Sequence, residues 1–238
     1  TIVNRIWAHF MGRGFVEPVD DMRVSNPPTN PELLDQLSRD LVEHKYDLRR
    51  LIRMIVTSAS YQRSSTSNRY NAGDRQNYAR YAARRLPAEV MLDAVDRVTG
   101  VKTQFGGVSG RSRAIDLPHE EFGSYFLDVF GRPKQLSSPC ECARDSGANL
   151  SQVLHLVNSG EVDGKLASDR GTAARLAVTE RPLQDRIEEL YLTAFCRRPT
   201  PQEILAATEY VSGEKLPRRA FEELVWTFIN CREFQFNH

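Results

Sequence analysis

Apolar positions recur at helical spacing along almost the whole of this chain. Ile2, Ile6 and Phe10, with Val3 and Trp7, form a stripe that stops at the glycines of MGRGF. The following EPVDDMRVSNPPTNP is too polar and proline-rich for a strand and predicts a long, turn-rich segment. Thr29 and Glu32 flank Pro31 at the spacing of a capping box. That predicts a helix running to about His44 with Leu33, Leu34, Leu37 and Leu41 turned inward. Asp47 is placed to cap a second helix through Leu48, Leu51, Ile52, Ile55 and Val56, ending near Ser60. So short a connection makes the two helices antiparallel neighbours. Residues 61–77 read as a polar loop and NYARYAARR as a short helix. Pro87 opens another helix, with Val90, Met91, Ala94, Val95 and Val98 on one face and Gly100 as its stop.

Beyond Gly100 the rhythm is broken. Residues 101–118 are glycine-rich and irregular, with room for a short strand pair. EEFGSYFLDVFG predicts a helix ending at Gly131, then a loop, then a helix from about Leu150 to Asn158. The last third predicts helices at about 161–178, 182–197, 201–213 and 217–231. Pro182, Thr200-Pro201 and Pro217 separate them, and Thr200 with Glu203 repeats the capping-box spacing. The expected fold class is therefore mainly α: an irregular multi-helix bundle of helical hairpins, with long loops and at most a minor strand pair. Residues 1–238 are expected to form a single helical domain, with a subdivision into 1–135 and 146–238 as the alternative. Loops of this length are commonly functional or packed against another domain.

Composition changes this picture little. The chain is 40% hydrophobic and 26% charged, an ordinary globular mixture. A net charge of +1 gives no overall pull toward nucleic acid or a membrane surface. No apolar run approaches the roughly 20 residues of a membrane span. The chain opens without Met, already in an amphipathic pattern, which is expected of a piece of a longer protein.

Three groups of residues are candidates for chemistry. The first is Cys140 and Cys142, one residue apart, with His155 following on a helix. A structural zinc site needs about four ligands, and this stretch supplies three at most. Haem attachment needs Cys-x-x-Cys-His, which is absent. A structural or disulfide role is expected, with no metal; a bond from either thiol to Cys196 or Cys231 is compatible with the sequence, and both of those are expected on apolar helix faces, where free Cys packs as a small hydrophobe. The second group is the stretch 45–85, with ten Lys or Arg against two Asp and Tyr61, Tyr70, Tyr78 and Tyr81 interleaved. Guanidinium groups pair with sulfate, phosphate or carboxylate, and rings stack on sugars. Arg63, Arg69, Tyr70, Arg75 and Tyr78 are the candidate ligand-binding set. The plainer reading makes Arg49, Arg50 and Arg53 a solvated helix face paired with neighbouring carboxylates. The third group is Asp116, His119 and Glu120, with His155, as an acid–base set. A helix N-terminus favours such carboxylates without any catalysis. No nucleophile elbow, phosphate loop or dinucleotide fingerprint occurs.

Seven phrases then occur in order: VNRIWAHFMGRGFVEPVDDMR, NPPTNPELLDQL, LIRMIVTSASYQRSS, RRLPAEVMLDAV, FGRP with CECARDSGANLSQVLHLVNS, LYLTAFCRRPTPQE and WTFINCREFQFNH. Together they resemble the planctomycete-specific domain of unknown function 1553. The resemblance implies the C-terminal part of a large exported protein, often with a cytochrome-c-like domain upstream and polysaccharide or sulfatase genes nearby. It implies an extracytoplasmic address, periplasmic or secreted, and carries over no catalytic residue. Ala143 stands where the family pattern has a carboxylate.

The reading that results is a non-catalytic binding or scaffolding module linked to polysaccharide, with sulfated glycan as the favoured class. Its expected partners are other domains of the same polypeptide and an anionic polysaccharide, with no nucleic acid, no membrane span and no cofactor of its own. One alternative is a carbohydrate-active enzyme domain with an acid/base site. The other is a docking domain for a c-type cytochrome domain.

Overall fold

The computed structural model describes residues 1–74, 76–108, 112–118, 122–132, 156 and 159–237. The chain is mainly helical, and it divides into two compact units, Thr1–Arg84 and Arg85–Asn237. The alternative boundary, between 135 and 146, lies outside the described residues.

The first unit holds α1 (Ile2–Met11), α2 (Pro31–Glu43) and α3 (Leu48–Val56). Its core is Val3, Trp7, Met11, Phe15, Leu37, Leu41, Leu51 and Ile55. The inward stripe of α1 therefore centres on 3, 7 and 11, and Ile2 is exposed. Gly12 ends the helix in left-handed backbone, φ 78°, with its N–H donated to the Ala8 carbonyl. The cap of α2 is Asn30 rather than Thr29: its side chain accepts from the Leu33 N–H, and Pro31 occupies the first helical position. Asp47 caps α3 as expected, accepting from the Arg50 N–H. Between these helices His44, Lys45 and Tyr46 make a Schellman closure. The Lys45 N–H donates to Val42 O at 3.1 Å and the Tyr46 N–H to Leu41 O at 2.8 Å. Lys45 holds the left-handed position that glycine usually takes, φ 54°.

NYARYAARR is not a helix. Tyr78 sits at φ 52°, and its ring packs edge-on against Trp7 at 5.3 Å and Phe15 at 6.0 Å. Tyr81 is buried, with its hydroxyl donated to Phe10 O at 3.2 Å. Arg84 donates to His9 O and, at 2.9 Å, to Phe10 O, the open carbonyls at the end of α1. Gly12 leaves the room this needs: a Cβ there would lie 2.7 Å from Arg84 Cδ. Tertiary contacts to α1 outweigh the local helical pattern.

The second unit contains α4 (Ala88–Thr99), a 3-10 turn at Ala114–Asp116, and α5 (Tyr125–Val129). It continues with α6 (Gly160–Leu166), α7 (Thr172–Val178), α8 (Leu183–Phe195), α9 (Pro201–Gly213), α10 (Pro217–Asn230) and α11 (Arg232–Gln235). α10 is the hub, touching α4 and each helix from α6 to α9 as well as α11. Phe221, Val225 and Ile229 from it meet Met91, Leu92, Val95, Leu176, Ile187 and Leu190 in one apolar cluster. Burying each such side chain contributes about 1.5–3 kcal/mol. The helix expected at 161–178 is two, because Ala167–Gly171 breaks it. Gly171 is wedged there, and a Cβ would stand 3.1–3.3 Å from the carbonyls of Ser168, Thr99 and Lys165. α5 begins only at Tyr125, capped by the Ser124 hydroxyl, so the helix expected over EEFGSYFLDVFG is a five-residue one. No strand lies among the described residues of 101–118. The sheet instead pairs β1 (Arg84–Arg85) with β2 (Phe236–Asn237).

Candidate functional site

The basic and aromatic stretch becomes a braced loop. Asn68 Oδ1 accepts from the N–H groups of Tyr70 and Asn71, while Asn71 Oδ1 accepts from Asn68 N–H at 2.7 Å. Asp74 accepts from the N–H groups of Gln76, Asn77 and Ala79, and these bonds draw its carboxyl down to about 2. Such side-chain closures hold a loop without helix or sheet. At its tip Tyr70 is 80% exposed, with the Arg69 guanidinium 4.5 Å above its ring. Arg63 is also exposed and donates to Tyr78 O at 3.2 Å.

The candidate ligand-binding set thus divides. Arg63, Arg69 and Tyr70 face solvent in one loop. Tyr78 does not: its hydroxyl donates to Gly14 O at 2.9 Å, and burial pushes its phenol upward. It is a core anchor, and so are Tyr61 and Tyr81, whose rings meet edge to face at 5.3 Å. Arg75 lies outside the described residues. The plainer reading holds for Arg50, which grips Asp40 at 2.9 Å; Arg49 and Arg53 are exposed.

The acid–base set is not assembled by the described residues. Asp116 is exposed, and the Arg113 guanidinium bonded to it holds its carboxyl below the usual range. A general acid needs the opposite shift. His119, Glu120 and His155 lie outside the described residues, as do Cys140 and Cys142. Cys196 and Cys231 are free thiols at helix ends; Cys196 is exposed, while Cys231 is half-buried and packs against the apolar cluster of the second unit. Among the described residues no three His, Cys, Asp or Glu side chains converge as a metal site requires.

Among the described residues two carboxyls are raised. Burial lifts Asp93, yet it is committed to the N–H groups of Ala114 and Ile115. Burial also lifts Glu161. An open groove of about 450 Å³ along α8 is lined by Arg97, Arg181, Asp185, Glu188, Glu189 and Leu192. Burial draws Glu189 upward, but Arg175 and Arg181 outweigh it and hold the carboxyl low. Glu188 pairs with Arg198. The groove is charge-paired rather than poised for proton transfer.

The family model described as PSD1, protein of unknown function (DUF1553), matches residues 1–211. The chain belongs to the DUF1553 family. No curated protein and no solved structure matches it. The closing phrase WTFINCREFQFNH lies beyond the matched span.

In several of the phrases that mark this DUF1553 chain, the described residues are architectural. In VNRIWAHFMGRGF, Asn4 is fully buried and Gly14 lies against it. Asn4 Nδ2 donates to Val16 O at 2.9 Å and Val19 O at 2.7 Å. Its Oδ1 accepts from Phe15 N–H at 2.7 Å and Val16 N–H at 3.2 Å. The first arginine of RRLP is Arg84, the α1 cap. In FGRP, buried Arg132 donates to Phe122 O at 2.8 Å and pairs with Asp128. In CRRPTPQE the capping box forms, and Arg197 binds Glu203 at 2.8 Å and Glu233 at 2.5 Å.

One buried network escaped the sequence reading. Lys165 Nζ meets Asp96 Oδ1 at 2.6 Å, Thr103 Oγ1 at 2.8 Å and Val101 O at 3.2 Å. The three donors of the ammonium are all used. Only the i, i+4 pair Glu161 and Lys165 hinted at it, and that pair reads equally well as a helix surface.

Proposed function

We propose that this DUF1553 chain is a non-catalytic binding module of an extracytoplasmic, multidomain protein, and that it holds an anionic, sulfated polysaccharide. The observation that carries the reading is the Arg69–Tyr70 pair, a cation stacked on an exposed ring at the tip of a braced loop. Arg69 also donates to the Tyr70 hydroxyl; a sulfate suits its remaining N–H groups, and a sugar face suits the ring. Arg63 adds a second exposed cation on the same loop. The bracing by Asn68 and Asp74 lowers the ordering cost of binding. The charge-paired α8 groove and the arginine-bound Asp116 favour binding over turnover. The other domains of the parent polypeptide are its expected neighbours, and nucleic acid is disfavoured by a net charge of +1. No helix among the described residues is long and apolar enough to cross a membrane.

The test is retention on a sulfated resin at low salt. Arg63→Ala with Arg69→Ala should elute at lower salt than the parent, and Tyr70→Ala should weaken retention on sulfated polysaccharide more than on a sulfated resin without sugars. Unchanged elution of the double variant would overturn the reading.

A further inference from the structure

The α2–α3 connection is exposed in a way its fold does not require. Val42 is 57% exposed, Tyr46 64% and Leu48 42%, all within seven residues. Lys45 and Tyr46 both hold left-handed backbone, φ 54° and 62°, which an aromatic L-residue adopts at a cost. The Schellman closure accounts for an apolar residue at Tyr46, whose usual contact is Leu41 in the last turn of α2. It does not account for a ring left mostly in water, or for Val42 and Leu48 beside it. Strain and exposed apolar groups that do nothing for the fold concentrate at recognition surfaces.

The charges around the tip decide what it recognises. Arg39 and Arg50 are spent on Asp35 and Asp40. Asp47 is occupied as the cap of α3. Lys45 and Arg49 at the tip, and Arg53 one turn further along α3, are exposed and have no ion-pair partner among the described residues, and Glu43 is the one carboxylate of this tip left over. An apolar knob rimmed by unspent cations complements a surface with an apolar hollow and acidic edges.

We propose that the α2–α3 tip is a protein-docking knob whose partner is an acidic segment bearing large apolar side chains, with Tyr46 as the anchor and Lys45, Arg49 and Arg53 as the steering rim. Exposed Val42 and Leu48 favour protein over glycan, because a saccharide offers little aliphatic surface to them. The knob is carried by residues other than those of the Arg69–Tyr70 loop, and it stands or falls apart from the glycan reading.

The experiment uses the full chain and two labelled peptides. One alternates Asp and Glu with Leu and Phe; the other keeps the acids and replaces the apolar residues by Ser. Fluorescence anisotropy should show binding of the first and at least about tenfold weaker binding of the second. Tyr46→Asn removes the ring while keeping a residue at ease in left-handed backbone, so the fold is kept. It should weaken the first peptide by about tenfold or more. Arg49→Glu with Arg53→Glu should weaken it and flatten its salt dependence. Equal binding of both peptides, no effect of Tyr46→Asn on a chain with an unchanged melting profile, or binding of dextran sulfate but neither peptide would each overturn the proposal.

Discussion

Replacing Asn4 by Ala should damage the first unit more than any surface change. The side chain is fully buried and makes four hydrogen bonds, all to the backbone of the turn at 15–19. Ala leaves two N–H groups and two carbonyls without that partner. A hydrogen bond contributes about 0.5–1.5 kcal/mol net, and an unsatisfied buried group costs about 1–3 kcal/mol. Val19 lies partly in water and recovers some of its loss. The sum is then about 3–5 kcal/mol, against a whole-domain stability of about 5–15 kcal/mol. Asn4→Asp should be no milder, since it keeps the acceptors but points an anion at two carbonyls. The assay is urea unfolding followed by Trp7 fluorescence in a Trp226→Phe background, with hydrogen exchange at Phe15 and Val16. Both amides should lose protection. A loss under about 1 kcal/mol with protection retained would refute the argument, because four native bonds would then be doing the work of one.

Three other outcomes follow from described contacts. Lys165→Met should cost about 3–5 kcal/mol, as read by thermal or denaturant unfolding, because Asp96 loses its cation and keeps only the Thr103 N–H and hydroxyl. Lys45→Gly should raise stability by about 1 kcal/mol, because the left-handed position suits glycine; a fall in melting temperature would contradict the Schellman geometry. Arg197 draws the Glu203 carboxyl down to about 2 from its ordinary 4.5. A lowered folded value means stabilisation present above pH 4.5 and lost as pH falls toward 2. Melting curves of the parent and Glu203→Gln should therefore converge across that window, and a constant gap would count against the pairing.

The helices were legible because their signals are local. Asp47, Gly100 and the Thr200–Glu203 box sit within a turn of the ends they set. Asn30 was missed because Thr29 offered the same chemistry one position earlier, beside the same Pro31. NYARYAARR misled because its period is helical while its partners lie more than 60 residues away, in α1 and the turn that follows it. Among the candidate site residues, Arg69 and Tyr70 were legible as a pair, since neighbours in sequence stack without help from the fold. Tyr78 carried the same composition and a different fate, which only Trp7 and Phe15 decide. Asn4 and Lys165 gave almost no advance sign. A polar residue on an apolar face looks like noise until the distant groups it satisfies, such as Thr103 for Lys165, are brought to it.

The reach of Arg84 back to His9 and Phe10 also bears on biosynthesis. As the polypeptide leaves the ribosome, the far end of α1 stays uncapped until some seventy more residues have emerged. Expression boundaries drawn near residue 60 would thus release a half-dressed fragment, with one wall of the Trp7 pocket missing.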